Sequence, residues 1–279
     1  MKILKLLIIF FIIASIFFGI SVYWRIIRIP IYDSYENQKA YAHKRYMHIY
    51  NTPTARIKIA WDWVLDAFDI VYKKFPDKAY DDIDTLGWTG DAYFFSNRYD
   101  DALKYYTKEL DVFKATKLAP DYTKLGYNTQ RIQNITSLNY KWLFKIYNLV
   151  SNCYYGKSEY DKSEATLREF INLADEPTKS LEIWQRYNLI GEAWKGIAGI
   201  YKRKKEYNKA IEIYDNLEKE FPKVSIQVGL QEAKARTYIQ MGDVKKAKQI
   251  YEELINKYGK NSVYAINAMN ALKQLQHEN

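Results

Sequence analysis

WKGIAGIYKRKKEYNKAIEIYDNLEKEFP, residues Trp194 to Pro222, decides the fold. Trp194, Ile197, Ala198 and Tyr201 recur at spacings of three and four, the period of one helix face, and Ala210 with Tyr214 repeats that spacing after a polar break. Small residues at Ala198 and Ala210 let two antiparallel helices approach closely, and the rings of Tyr201 and Tyr214 fill the space on either side. Pro222 ends the second helix because it lacks an amide donor and clashes with the preceding turn. The next stretch repeats this in weaker form. Ala235, Tyr238, Ala247 and Tyr251 stand at matching places, Gly242-Asp243 supplies the turn, and Gln231 and Gly259 replace the Trp and the Pro.

This spacing resembles the tetratricopeptide pattern W-x2-L-G-x2-Y, A-x3-F, P. The resemblance implies an all-α chain, a right-handed superhelical solenoid of antiparallel helix hairpins, because one hairpin cannot bury its apolar faces alone. It also implies a binding scaffold and no enzyme. Local phrases, Tyr72 to Asp77 and Glu218 to Pro222, are similar to bacterial outer-membrane assembly lipoproteins and the periplasmic Tol-Pal coordinator. No cysteine follows the N-terminal apolar segment, which departs from the lipoproteins.

The 279 residues are 27% charged and 48% hydrophobic, the composition of a folded chain with ample core. The 27 tyrosines fall partly on repeat positions and read as core rings. A net charge of +9 admits nucleic acid or an anionic membrane surface as partner, but a Lys-, Asn-, Ile- and Tyr-rich chain also follows from AT-rich coding, so nucleic acid is disfavoured. Cys153 is the only cysteine and reads as a small core residue; no intrachain disulfide is available.

From Leu6 to Trp24 no residue is charged. At about 1.5 Å per residue that segment reaches about 28 Å, close to a hydrocarbon core. Residues 1–25 therefore read as an N-terminal transmembrane helix, a signal anchor, with 6–24 contacting the membrane. A cleaved signal peptide, with Gly19 and Ser21 before the cut, is the competing reading. The expected location is the cytoplasmic (inner) membrane with the repeat domain outside the cytoplasm, although Arg25, Arg28, Lys39, Lys44 and Arg45 after the span favour the opposite orientation.

Residues 26–52 read as a juxtamembrane segment and helix, and 53–279 as the repeat domain. Ile57, Ala60, Trp61, Val64, Ala67, Phe68 and Val71 mark a buried face, and Asp77–Asp111 holds a repeat with Leu86, Gly90, Tyr93, Ala102 and Tyr106 in register. The next equivalent of Ala102 is Ser163, so an insertion is expected at about 114–139, a loop or short helix. Trp142 to Asp175 is a degenerate repeat with Tyr147, Ser151, Tyr154, Ser163 and Leu167. Ser180 to Lys205 reads as a helix running on into the Trp194 copy. A C-terminal capping helix is expected over Asn261–Gln276, burying Val263, Ile266, Met269 and Leu272.

Three scattered histidines, no Gly-rich phosphate loop and no paired-cysteine spacing leave no cofactor, metal or catalytic residue to nominate. Asp81, Asp82 and Asp84 with Asp91 lack the calcium-loop pattern and read as a solvated face. In the tetratricopeptide family the first helix of each hairpin lines a concave groove. The resemblance places there Asp91, Phe94 and Phe95, then Lys145, Asn148 and Asn152, then Lys195, Lys202, Arg203 and Arg236. Such a groove suits a protein or peptide partner with acidic groups, although the same charges also read as solvated faces. Residues 77–111 carry −5 and 195–209 carry +5, so a structural subunit of an envelope assembly, self-associating through complementary repeats, is the alternative.

Overall fold

A computed structural model describes residues 34–52, 58–118, 124 and 126–277, and among these the regular structure is helical throughout. The expected membrane span, residues 6–24, lies outside the described residues. Among those described, no helix is long and apolar enough to cross a membrane. The chain divides into two compact units, Met1–Phe113 and Lys114–Asn279.

In the first unit α1 (Tyr35–Tyr50) packs on α2 (Lys58–Lys74), the short α3 (Pro76–Asp81) follows, and α4 (Ile83–Phe95) pairs with α5 (Tyr99–Phe113). Ser34 and Asp82 cap α1 and α4, accepting from the amides of Asn37 and Thr85. Of the predicted stripe on α2, Trp61, Val64, Ala67, Phe68 and Val71 are fully covered and Ala60 is half-buried, while Ile57 lies outside the described residues. Gly90 of α4 faces Tyr106 of α5; a Cβ there would lie 2.5 Å from the ring, so the helices cross where only glycine fits.

In the second unit a π-helical turn (Lys114–Leu118) precedes α6 (Thr129–Gly156), which pairs with α7 (Tyr160–Thr178). Next come α8 (Ile183–Arg186), a π-helical turn (Tyr187–Gly191) and α9 (Glu192–Arg203), continuous over 183–203 as the sequence predicts. Then α10 (Tyr207–Glu220), α11 (Val224–Met241), α12 (Val244–Tyr258) and α13 (Val263–His277) complete the unit.

Four hairpin turns share one closure. The amides of Arg98, Glu159, Glu206 and Asp243 donate to the carbonyls of Tyr93, Tyr154, Tyr201 and Tyr238 at 2.8–2.9 Å. The residue before each donor, Asn97, Ser158, Lys205 and Gly242, has φ between 58° and 92°. This is the six-to-one bond of a Schellman motif, and it recurs on the tyrosines that the repeat pattern aligns. The degenerate repeat replaces the small Gly/Ala pair by Ser151 and Ser163, whose hydroxyls lie 2.8 Å apart, fully buried.

Two expectations need correction. The insertion is largely helix: residues 129–139 are the opening turns of α6, because Pro120 and Gly126 both precede Thr129, and Asn128 caps the helix on Arg131. Asn139 and Gln133 tether it by donating to the carbonyls of Lys117 and Ser180. The capping helix α13 exists and Leu272 packs half-buried on the core, but the helix buries Ala265, Ala268 and Leu275 and leaves Val263 71% and Ile266 46% exposed. Alanine wins the contact because a small face lets α13 lie close to α12, where Tyr251 and Leu254 already supply the bulk.

Candidate partner-binding groove

The nominated residues fall into both units, and their surroundings differ. Asp91 in α4 is not a groove residue. It is 6% exposed and accepts from the hydroxyls of Tyr46 in α1 and Tyr106 in α5, each at 2.7 Å. Burial and the adjacent Asp91 carboxylate push the Tyr46 hydroxyl well above its ordinary value, so it stays a donor. Phe95 stacks on Trp61 at 4.8 Å with Tyr50 at its edge, and Phe94 lies between Phe95 and Tyr99. Both belong to an aromatic cluster of the first unit, with Phe95 still 40% exposed.

The acidic patch of that unit is also weaker than its formal charge. Asp91 and Glu109 are buried, Asp82 and Asp84 share Lys39 at 2.7 and 3.5 Å, and Asp101 pairs with Arg98. Asp82 is thus a capping and paired group rather than part of a solvated face; burial would raise its pKa, but Lys39 and the Thr85 amide outweigh that and hold it below the usual carboxylate range.

In the second unit α6 packs against the π-turn and α9. Between α6, α8 and the π-turn lies a cavity of about 690 Å³. Lys145 and Asn148 line it, joined by Leu138, Lys141, Trp142, Trp184, Gln185 and Asn188, and among the described residues no carboxylate lines it. Leu138 is 57%, Trp142 39% and Trp184 49% exposed. The Lys145 ammonium lies 4.8 Å from the Trp142 ring, which holds it over the cavity. Asn152 is exposed one turn further along α6.

The other cations divide. Lys195 pairs with Glu192 at 2.7 Å. Arg203 reaches the Tyr160 hydroxyl of the preceding hairpin at 3.4 Å. Lys202 is half-buried, and its pKa is lowered by burial and by the charge of Arg236 on α11. Among the described residues no carboxylate pairs with Lys202. Arg236 is exposed, 3.8 Å from Glu232. Gly199 of α9 and Gly229 of α11 each have space for a Cβ with nothing within 4 Å, so bare helix backbone is open there.

Sequence reasoning missed Leu138, Trp142, Trp184 and Asn188. Trp184 and Asn188 hid behind the π-turn, which widens the helix by an extra residue and breaks the constant period by which faces are assigned. Gly191 permits it: a Cβ there would lie 2.3 Å from the Tyr187 ring, which packs on Phe221. Two tryptophans spaced outside any apolar stripe were the available signal.

The tetratricopeptide repeat family matches residues 233–261, which run from α11 through α12. No curated protein matches the chain in sequence. Among solved structures, the putative kinesin light chain TPR-like repeats of Podosopora anserina align over 83% of this chain and all of that one, at 12% identity and a TM-score of 0.52. MamA aligns over 80% of this chain and 98% of its own, at 17% identity and a TM-score of 0.43. Residues 233–261 thus match the tetratricopeptide repeat, and the kinesin-light-chain likeness shows that the surrounding helices share the fold of such arrays.

Proposed function

We propose that this chain is a membrane-anchored scaffold that captures an acidic, apolar-anchored peptide or helix of another protein along α6, α8–α9 and α11. The observation that carries it is the cavity beside Trp142 and Trp184, rimmed by Lys141 and Lys145 with no carboxylate among the described lining residues. Lys202, half-buried beside Arg236, supports the same reading, since a partner carboxylate would relieve a charge that burial disfavours. Asn148 and Asn188 offer paired donors and acceptors for a peptide backbone. A right-handed superhelix, anchorage through residues 6–24 in the cytoplasmic membrane and an array outside the cytoplasm complete the proposal; reporter fusions after Asn279 test the orientation.

The binding test uses a fluorescent peptide with a leucine or tryptophan anchor set among glutamates, followed by anisotropy. Lys145→Glu with Lys202→Glu should weaken its binding by at least about tenfold, and added salt should weaken the wild type. Equal affinity for the charge-reversed protein, or for a lysine-flanked control peptide, would overturn the groove assignment.

A further inference from the structure

The exposed side of α1 carries a second cationic site that the groove does not use. A cavity of about 570 Å³ there is lined by Asn37, Tyr41, Lys44, Arg45 and His48 of α1 and by Trp63 of α2, with no acidic residue among its described lining. Arg45 is only 4% exposed. Its Nη1 donates to the Trp63 carbonyl at 2.8 Å, and the guanidinium sits 4.1 Å from the Trp63 ring and 4.9 Å from that of Tyr41. The guanidinium is thereby fixed between two rings at the floor of the cavity. Lys44 and His48 stand exposed at the rim, and Lys44 has no ion pair among the described residues. Lys39, on another side of α1, differs in being bound to Asp82.

The position of this face along the chain names its occupant. Tyr35, where α1 begins, follows Trp24 by eleven residues, a reach of about 40 Å at full extension. If residues 6–24 span a bilayer, α1 is tethered among headgroups at high effective concentration. Tyr and Trp beside Lys and Arg is the composition that sits at a lipid–water interface. We propose that this face of α1, with Trp63, docks on an acidic phospholipid surface and thereby fixes the first unit against the membrane. The proposal rests on the anchor reading above, and the test separates the two.

The full chain is reconstituted in vesicles of phosphatidylcholine alone or with about a third phosphatidylserine. Cys153 is buried and is the only cysteine, so Met47→Cys, on the exposed side of α1, gives a single reporter thiol. Quenching of a dye there by nitroxide-headgroup lipid should rise with phosphatidylserine and fall in high salt. Lys44→Gln should reduce the docked-to-undocked ratio by about fivefold, the worth of one cation near an anionic surface. Equal quenching in both bilayers, no response to Lys44→Gln, or the same dye response to an RNA oligonucleotide without acidic lipid would overturn the proposal. Loss of the chain from phosphatidylcholine vesicles on flotation would instead refute the anchor. In that event, retention on phosphatidylserine vesicles that Lys44→Gln weakens by about the same factor still upholds the α1 surface, and absence of retention or no response to Lys44→Gln overturns it.

Discussion

Replacing Asp91 by alanine tests whether this residue builds the fold or serves the groove. Its carboxylate joins three helices of the first unit, accepting from Tyr46 of α1 and Tyr106 of α5 at 2.7 Å, at 6% exposure. Deleting it leaves two buried hydroxyls without their acceptor, at about 1–3 kcal/mol each. Part of that loss is offset, because the variant no longer holds a carboxylate away from water. The net expectation is about 2–4 kcal/mol of destabilisation, read from urea unfolding by circular dichroism with the slope checked for constancy. Adding Tyr46→Phe removes one stranded hydroxyl, so the double variant should be less destabilised than the sum of the singles. Capture of the acidic probe peptide should persist wherever Asp91→Ala remains folded. A change in stability under about 0.5 kcal/mol together with lost capture would refute the structural role and return Asp91 to the groove.

Lys202→Met should raise the melting temperature at pH 7 while weakening probe binding. The sign follows from a folded pKa below the ordinary 10.5: beneath it the native state carries a charge that burial and Arg236 disfavour, and as pH rises through it the native proton leaves before the unfolded one. The gain over wild type should therefore shrink as pH climbs toward 10.5, and a pH-independent gain would exclude this cause. Gly199→Ala and Gly229→Ala, where a Cβ meets open space, should each stabilise by about 0.5–1 kcal/mol in the same urea titration. Gly90→Ala, which drives a Cβ to 2.5 Å from the Tyr106 ring, should cost about 1–3 kcal/mol.

The helix hairpins of residues 194–258 were legible because their signal is local. A three-and-four apolar period, a small residue where two helices cross and a polar break for the turn all act within one hairpin, and the Schellman closures on Tyr93, Tyr154, Tyr201 and Tyr238 land on the aligned tyrosines. Groove residues were harder to read. Lys145 and Asn148, nominated by extending the repeat register, line the cavity, whereas Trp142 and Trp184 were passed over because an exposed tryptophan and a buried one leave the same letter in the sequence. Asp91 failed for the converse reason: an acid on a first helix reads as solvated until its tyrosine partners, 45 and 15 residues away, are brought beside it.

The sequence by itself determined the all-helical class, the repeat register from Asp77 onward, the continuous helix through Trp194 and the burial of Cys153, since each follows from spacing along one or two neighbouring helices. Only the tertiary structure decided which face of α13 is covered, how far α6 extends back toward Asn128, which cations have carboxylate partners and which aromatics stay open to a ligand. Those outcomes depend on volumes and charges contributed by other helices. Val263 and Ala265 of α13 show the difference: hydrophobicity alone ranks valine as the core residue, but the narrow approach to α12 admits the alanine face.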